Sequence, residues 1–296
     1  MRLVGKQRAP LRVVGTIRHS RTIVAGVEYQ GGVTRARVDG ENVRSISRIA
    51  ELLPVQIIDP SVHRLIEEGS TRRRRLLDWG VFHVEHGFMD PWRRYQRALA
   101  QRNAALRTVT PAQARVWEPE LAACAADIDR MRQVYAQRLA PAFQSLAAEL
   151  SGRDCELAYH RGWDEGLVLS EALERSWSRD ARVRTTTVGP HRADLIVRVD
   201  GEVARDRVSR GQQKMIAASL VLAQIILAAP STLHRAVLLL DDPAAELDVD
   251  NLGKILSVIE RVPAQLVVTS LNEAGLRGIK IRKRFHVEQG RFAEMV

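Results

Sequence analysis

The chain opens on three short stretches rich in β-branched residues, LRVVGTIRH at 11–19, RTIVAGVEY at 21–29 and VTRARVD at 33–39. They are separated by Ser20 and by Gly31-Gly32, which predicts a meander of strands. Val43, Ile46, Ile49, Leu52 and Leu53 then recur at helical spacing, and Pro54 ends that helix before a short apolar strand, Val55 to Ile58. A basic helix follows. From Pro91 to Gly152 the pattern is mostly helical: Trp92, Tyr95, Leu99 and Leu106 line one face of a first helix, and Pro141 is expected to kink or divide a second long segment after Pro111. After Gly152 the β signal returns, with a strand from Cys155 to His160, a helix from Ser170 to Trp177, and a strand from Asp194 to Val199 closed by an Asp-Gly turn. The last third alternates: helix 210–229, buried strand Ala236 to Leu240, helix 249–260, strand Gln265 to Thr269, and a hairpin-like IRKRFHVEQGRF. Such alternation argues for an α/β sheet, with the helical middle inserted in sequence between parts of one α/β domain. Two lobes are expected rather than two independent domains.

A chain of 296 residues, 45% of them hydrophobic, is long enough to bury a sizeable core. Its longest apolar stretch, Met215 to Ala229, is interrupted by Ser219 and Gln224 and falls short of the ~20 residues of a membrane span, so it reads as a buried helix. The N-terminus, MRLVGKQRAPLRVV, has neither a continuous apolar segment nor a small-residue cleavage site, and nothing directs the chain to secretion. Cys124 and Cys155 lack C-x-x-C spacing and fit buried thiols in a reducing cytoplasm.

Charge changes the picture more. The net charge is +10, and 40 of the 45 basic residues are arginine, a bias that a GC-rich genome also produces. Its distribution is uneven. Residues 1–40 carry eight basic and two acidic side chains, residues 71–107 carry nine and three, and the remainder is slightly acidic. Two segments therefore hold the excess, and a stripe that follows phosphates is favoured over a merely solvated basic face. In the second segment Arg72, Arg73, Arg74 and Arg75 open a helix, where positive charge opposes the dipole and something else must compensate it. DNA backbone or an acidic partner surface would do so, and Arg93 and Arg94 extend the same candidate surface.

Two motifs carry chemistry. AVLLLDDPAAELD is an aliphatic strand ending in Asp241 and Asp242, with Glu246 and Asp248 shortly after. A buried strand delivers such carboxylates to the sheet edge, where ligands bind in open α/β folds and hard oxygen donors suit Mg²⁺. The same residues also serve simply to end a strand and cap the next helix. In VSRGQQKMIAASLVLAQ, Ser209 and Gly211 stand at the start of a long apolar helix, as an ordinary N-cap or as an anion site with free backbone N–H groups. The two motifs lie about thirty residues apart in the order of the signature, metal-carboxylate and following-loop elements of ABC ATPases.

At this point the sequence resembles the RecF family over essentially its whole length. The strings that carry the resemblance are VDG at 38–40, LLPVQII at 52–58, RRRLLDWGVFHVE at 73–85, WRRYQRALAQRNAALR at 92–107, GPHRADL at 189–195, SRGQQKM at 209–215 and LLLDDPAAELD at 238–248. The resemblance implies an ABC-type ATPase head, with a sheet-and-helix lobe formed by 1–85 and 205–296 and a helical lobe formed by 86–204. It implies ATP and Mg²⁺ as ligands, with Asp241 as metal carboxylate, Asp242 in the catalytic-carboxylate place and Gln56 as the residue sensing Mg²⁺ and γ-phosphate. Ser209, Arg210, Gly211 and Gln212, with Asp248 beside them, would reach the γ-phosphate of a nucleotide held by a second subunit, so that nucleotide joins a homodimer. DNA, RecO and RecR are the implied partners, in loading RecA at gaps and stalled forks during recombinational repair and the SOS response. Thr269-Ser270 follow the last alternating strand where transporter ATPases have a histidine.

One departure is serious. The family begins with a G-x-x-x-x-G-K-[ST] loop, and neither Gly5-Lys6 nor Gly253-Lys254 fits that pattern. The expectation is a chain that starts inside the first lobe and does not hydrolyse ATP by itself, and the alternative to the ATPase is a non-catalytic remnant that keeps DNA- or partner-binding surfaces. A metal-dependent nuclease built on Asp241 and Asp242 leaves the signature helix unexplained. His83, Glu85 and His86 lack H-E-x-x-H spacing and are expected to be structural. In GPHRADL, His191, Arg192 and Asp194 either touch nucleotide or interface, or form a turn tied by Asp194.

Overall fold

The meander forms as its pattern predicts: β1 (Leu11–Arg18), β2 (Thr22–Gln30), β3 (Val33–Val38) and a short β4 (Glu41–Asn42) make a four-stranded antiparallel sheet in sequential order. Gly31 and Gly32 turn the chain between β2 and β3 at φ +59° and +84°, a region open to glycine at no steric cost. Alternate residues divide the sheet into two faces. Ile17, Ile23 and Ala25 are buried against Leu52 of α1 (Ser47–Leu52), with Val38, Ile49 and Leu53 packed around them. The computed structural model describes residues 10–18, 21–43, 45–108, 111–228, 232, 235–245, 247–271, 280–289 and 291–295. Gly5-Lys6, the turn at Ser20, the helix end at Ala229, Glu246 and Gly290 lie outside them.

A second sheet is parallel, in the order β10 (Gln265–Val268), β9 (Val237–Leu240), β5 (Val55–Ile58). One face, with Ile58, Leu238 and Leu240, lies in the main core against α7 (Arg210–Leu227) and α8 (Val249–Glu260), as the helix–strand alternation requires. On the other face Val55, Ile57 and Val267 are exposed.

Between β5 and α7 the chain builds α2 (Arg64–Glu67), α3 (Ser70–Val84), α4 (Met89–Ala105), a 3-10 segment at Pro111–Trp117, α5 (Glu118–Ser151), β6 (Cys155–His160), α6 (Leu169–Val183), β7 (Asp194–Val199) and β8 (Glu202–Val203). The three strands form a third, antiparallel sheet in the order β6-β7-β8. Pro141 does not divide the second segment: α5 runs as one helix of 34 residues with Pro141 inside it. Proline removes one backbone donor, and here the turns on either side are fixed by Leu139, Phe143, Leu146 and Leu150, all buried in the main core. α3 approaches α5 so closely at Gly80 that a Cβ there would fall 2.2 Å from the Tyr135 ring. The main apolar core, separate from that under the meander, runs from Leu238 through α7, which is buried nearly all round, to Phe143 of α5 and Tyr95 of α4. Among the described residues no helix is long and apolar enough to cross a membrane. The chain closes on an exposed hairpin, β11 (Arg284–Glu288) with β12 (Arg291–Met295).

Candidate nucleotide site

The parallel sheet brings three strand ends to one edge. In register, Ile58 lies beside Leu240 and Val268 beside Leu240 on the other side, so Asp59, Asp241 and Thr269 follow at the same level. Backbone bonds continue the ladder past the strands, from Asp241 N–H to Ile58 O at 3.0 Å and from Thr269 N–H to Leu240 O at 3.0 Å. The Thr269 hydroxyl donates to Asp241 Oδ1 at 2.6 Å and accepts the backbone N–H of Asp242 at 3.0 Å. Asp241 Oδ2 makes no hydrogen bond to a described residue. Asp242 sits at φ +41°, a left-handed conformation that short polar side chains tolerate, held by Thr269 on one side and by a 3-10 turn over Pro243–Ala245 on the other.

A small cleft opens at this edge, lined by Asp59, Lys214, Ala218, Asp241, Pro243 and Leu247 among others. Lys214 comes from the second turn of α7 and lines the same cleft as Asp59 and Asp241. The start of that helix is a capping box: Ser209 Oγ accepts Gln212 N–H at 3.4 Å and Gln212 Oε1 accepts Ser209 N–H at 3.2 Å. Ser209, Arg210 and Gly211 are exposed. Asp248 caps α8, its Oδ1 accepting Asn251 N–H at 2.8 Å and its Oδ2 the Asn251 side-chain amide at 2.7 Å. These bonds, that from the Asn251 backbone first, hold its carboxyl below the usual carboxylate range.

Gln56 is not brought to the edge. It pairs with Leu238 in mid-strand, on the face covered by α7, and its amide donates to Gln224 Oε1 at 2.9 Å while Gln224 donates to Leu76 O at 2.7 Å. Three residues of strand, about 10 Å, separate that position from the carboxylates. The residue β5 delivers to the edge is Asp59, whose Oδ1 accepts both the N–H and the hydroxyl of Ser61 at 2.8 Å. Sequence reasoning passed over Asp59, Lys214 and Thr269. The Asp-Pro-Ser turn after an apolar strand was the one available signal for the first.

The arginines expected on a DNA surface have internal partners. Arg73 makes a bidentate pair with Asp194, 2.8 and 2.9 Å, and donates to the carbonyls of Leu65 and Glu68 at 2.8 Å. Arg74 donates to Ala193 O at 2.8 Å and to the hydroxyls of Ser70 and Thr71. Arg72 pairs with Glu68, Arg94 forks onto Glu120, and Arg93 donates to the Ser45 and Ser47 hydroxyls. The compensation for a basic helix start is thus within the molecule, with Asp194 supplying the counter-charge, and of the run only Arg75 is exposed.

The GPHRADL loop is tied in the same manner. His191 Nε2 lies 2.9 Å from Thr186 O and Nδ1 lies 2.7 Å from Tyr95 Oη, so the ring donates to the carbonyl and accepts from the phenol. Burial pushes the His191 imidazole down to about 4. His83 is likewise pushed to about 4 by burial and by the Arg235 charge, and packs on Trp79 and Phe82.

The RecF/RecN/SMC N-terminal domain family matches residues 12–291 of this chain. The chain is similar to the DNA replication and repair protein RecF of Pseudomonas putida, 41% identical over 274 residues that cover 90% of this chain and 74% of the relative. It is also similar to RecF of Pseudomonas fluorescens, 40% identical over 270 residues, 89% and 74% of the two chains. Among solved structures, the recombination mediator protein RecF bound to ATP, of the RecFOR pathway, superposes with a TM-score of 0.83 at 23% identity, over 96% of this chain and 80% of that one. An Smc head bound to the C-terminal winged-helix domain of ScpA superposes at 0.53 and 14% identity, over 94% and 69%. With its strand-end carboxylates, its serine-capped signature helix and a likeness that extends over nine-tenths of its length, the chain belongs to the RecF family and carries its ABC-type ATPase head fold.

Proposed function

We propose that this chain is a RecF-type DNA replication and repair protein that holds Mg²⁺ and ATP at the C-terminal edge of its parallel sheet and binds DNA under control of that nucleotide. The observation that carries the reading is the Thr269-anchored pair Asp241–Asp242, set at three aligned strand ends beside Lys214 of the serine-capped helix. The donor set fits Mg²⁺. Asp241 offers a carboxylate oxygen at the strand end with Asp242 beside it, and Mg²⁺ takes one or two carboxylates together with water and phosphate oxygens. When bound, the ion supplies neutralisation of the phosphate charge.

The chain's own residues have separate tasks in this reading. Thr269 orients Asp241 so that Oδ2 is left for the ion. Asp242, fixed one residue further on, is the carboxylate that positions or accepts a proton from attacking water. Asp59 replaces Gln56 as the residue that β5 contributes. Ser209, Arg210, Gly211 and Gln212, with Asp248, face outward and close on the γ-phosphate of a nucleotide held by a second subunit, the free N–H groups and dipole of α7 favouring that anion. Segments 1–85 and 205–296 form the nucleotide lobe and 86–204 the second lobe. The partners are a second copy, DNA, RecO and RecR, in loading RecA in the cytoplasm.

An equimolar mixture of this chain with the Pseudomonas putida relative tests the shared site by sedimentation. The reading expects a heterodimer that forms only with Mg²⁺ and ATP and is lost with Ser209→Arg in this chain. A complex of the same mass with and without nucleotide contradicts it.

A further inference from the structure

The antiparallel sheet has a second face that the nucleotide site does not use. Opposite the buried Ile17, Ile23 and Ala25, the register aligns Arg12 with Glu28 and Arg35, Val14 with Gly26 and Arg37, Thr16 with Val24, and Arg18 with Thr22. Arg12, Arg18, Arg35 and Arg37 are all exposed, and so is Arg21 just before β2. Among the described residues the face has one carboxylate of its own, Glu28, which lies between Arg12 and Arg35 and is held below its usual range by the Arg12 hydrogen bond. Asp39, in the turn after β3, has its Oδ1 occupied by Val24 N–H at 2.8 Å. Positive charge is therefore in clear excess on an open surface, whereas in the helical segment Arg72, Arg73, Arg94 and Arg102 are paired with carboxylates of the same chain.

We propose that this solvent face of β1–β3, through Arg12, Arg18, Arg35 and Arg37, is where the protein lays the backbone of duplex DNA; the inference rests on the DNA-binding reading above. Three observations select that partner. From Arg12 to Arg18 the strand extends about 20 Å, which matches roughly six base pairs of B-form helix. Thr16 and Thr22 place hydroxyl donors among the arginines, the side-chain types that hold phosphate without reading sequence. The face carries no aromatic side chain: Tyr29, the one aromatic of these strands, pairs with Leu11 and Thr34 on the opposite face. A surface of arginine and threonine without a stacking platform suits a duplex backbone rather than splayed single-stranded bases.

The test is binding of the full chain to a 20-base-pair duplex and to a single strand of equal length, by fluorescence anisotropy between 50 and 200 mM salt, with and without Mg²⁺-ATP. The variants are Arg18→Glu/Arg35→Glu/Arg37→Glu, the same three positions changed to Gln, and the helical control Arg72→Glu/Arg75→Glu. All these residues lie on the surface or near it, and circular dichroism confirms that each variant is folded. The expected result is a loss of duplex affinity of about tenfold or more in the charge-reversed triple variant and a smaller loss in the Gln variant. In the Gln variant the slope of log affinity against log salt should flatten by about two to three, since each phosphate contact contributes about 0.9. The helical control should change affinity less than about threefold. Wild-type affinity in the triple variants would overturn this face while leaving the DNA-binding reading intact. Single-strand preference would overturn the duplex assignment, and absence of DNA binding by the wild type would overturn the reading and the face together.

Discussion

Two segments of this chain carry the same formal charge excess and use it in opposite ways. In residues 71–107 the best-buried arginines are struts: Arg73 joins the start of α3 to Asp194 at β7 across 121 residues of sequence, and Arg102, with no exposed side-chain surface, joins Asp180, Glu118 and Thr186. In the described part of residues 1–40 the arginines stand on an open β face, where Arg12 and Arg35 share the single carboxylate of Glu28 and Arg37 donates to the neutral Asn42. Charge summed along a sequence therefore does not separate a polyanion-binding surface from a buried ion-pair network. The separation depends on whether the fold returns a carboxylate to each guanidinium. A buried pair does not of itself add much stability, but removing one partner leaves the other charge uncompensated in low dielectric.

The comparison can be broken most forcefully at Arg102. Arg102→Ala strands Asp180, which is fully buried and otherwise accepts only from Thr187 and Ser176, and should cost about 3–5 kcal/mol in urea unfolding. A loss below 1 kcal/mol would show that the network is not a strut. Next in size is the pH dependence set by His191, packed against Tyr95 between α4 and the 186–192 loop. Its imidazole is held at about 4 against an unfolded value near 6.5, so the unfolded chain binds the proton more readily. Stability is full above pH 6.5 and falls as pH drops toward 4, by up to about 3 kcal/mol for this group. His191→Gln should flatten that window of the denaturation profile, and an unchanged slope would remove His191 as its cause.

Arg73→Ala is expected to cost less, about 2 kcal/mol, because the pair with Asp194 is only partly buried and hydrogen bonds to charged groups contribute about 1.5–3 kcal/mol. Asp194→Asn should cost a similar amount and the double variant little more than either, which a double-mutant cycle measures. At the small end, Arg75→Glu should leave the melting temperature unchanged within error, since Arg75 is exposed. A measurable drop there would place it in a contact that the comparison does not contain.

Much of the fold was legible because the relevant signals are local. Stretches rich in β-branched residues, with Gly31-Gly32 between two of them, gave the meander, and Ser209 before a long apolar helix gave the N-cap, which the structure completes as a capping box with Gln212. An aliphatic run ending in Asp-Asp gave the strand that delivers carboxylates to the edge. What failed to show depends on register and on contacts distant in sequence. LLPVQII does not reveal which face of β5 meets α7, so nothing in it showed that Gln56, expected to sense Mg²⁺ and γ-phosphate, bonds Gln224 inside. Thr269 lies 28 residues from the Asp241 oxygen it holds, and no spacing rule joins them. Pro141 illustrates the converse: a local signal that permits a division of the helix did not divide it, with α5 buried on both sides of the proline. The run Arg72 to Arg75 suggested an external anion because Asp194 is brought to it only by the folding of β7.

Whether the strand-end carboxylates act on a nucleotide is decided by DNA-stimulated ATP hydrolysis. The assay compares the chain with a version joined at its N-terminus to a segment bearing a G-x-x-x-x-G-K-[ST] loop, each with and without Asp241→Asn. That substitution keeps the shape of the side chain facing Thr269 while removing its charge. The account predicts Mg²⁺-dependent hydrolysis in the loop-bearing form, reduced by about a hundredfold or more in Asp241→Asn, an effect of the size seen when a stabilising group is removed from a transition state. Hydrolysis that survives Asp241→Asn would contradict it.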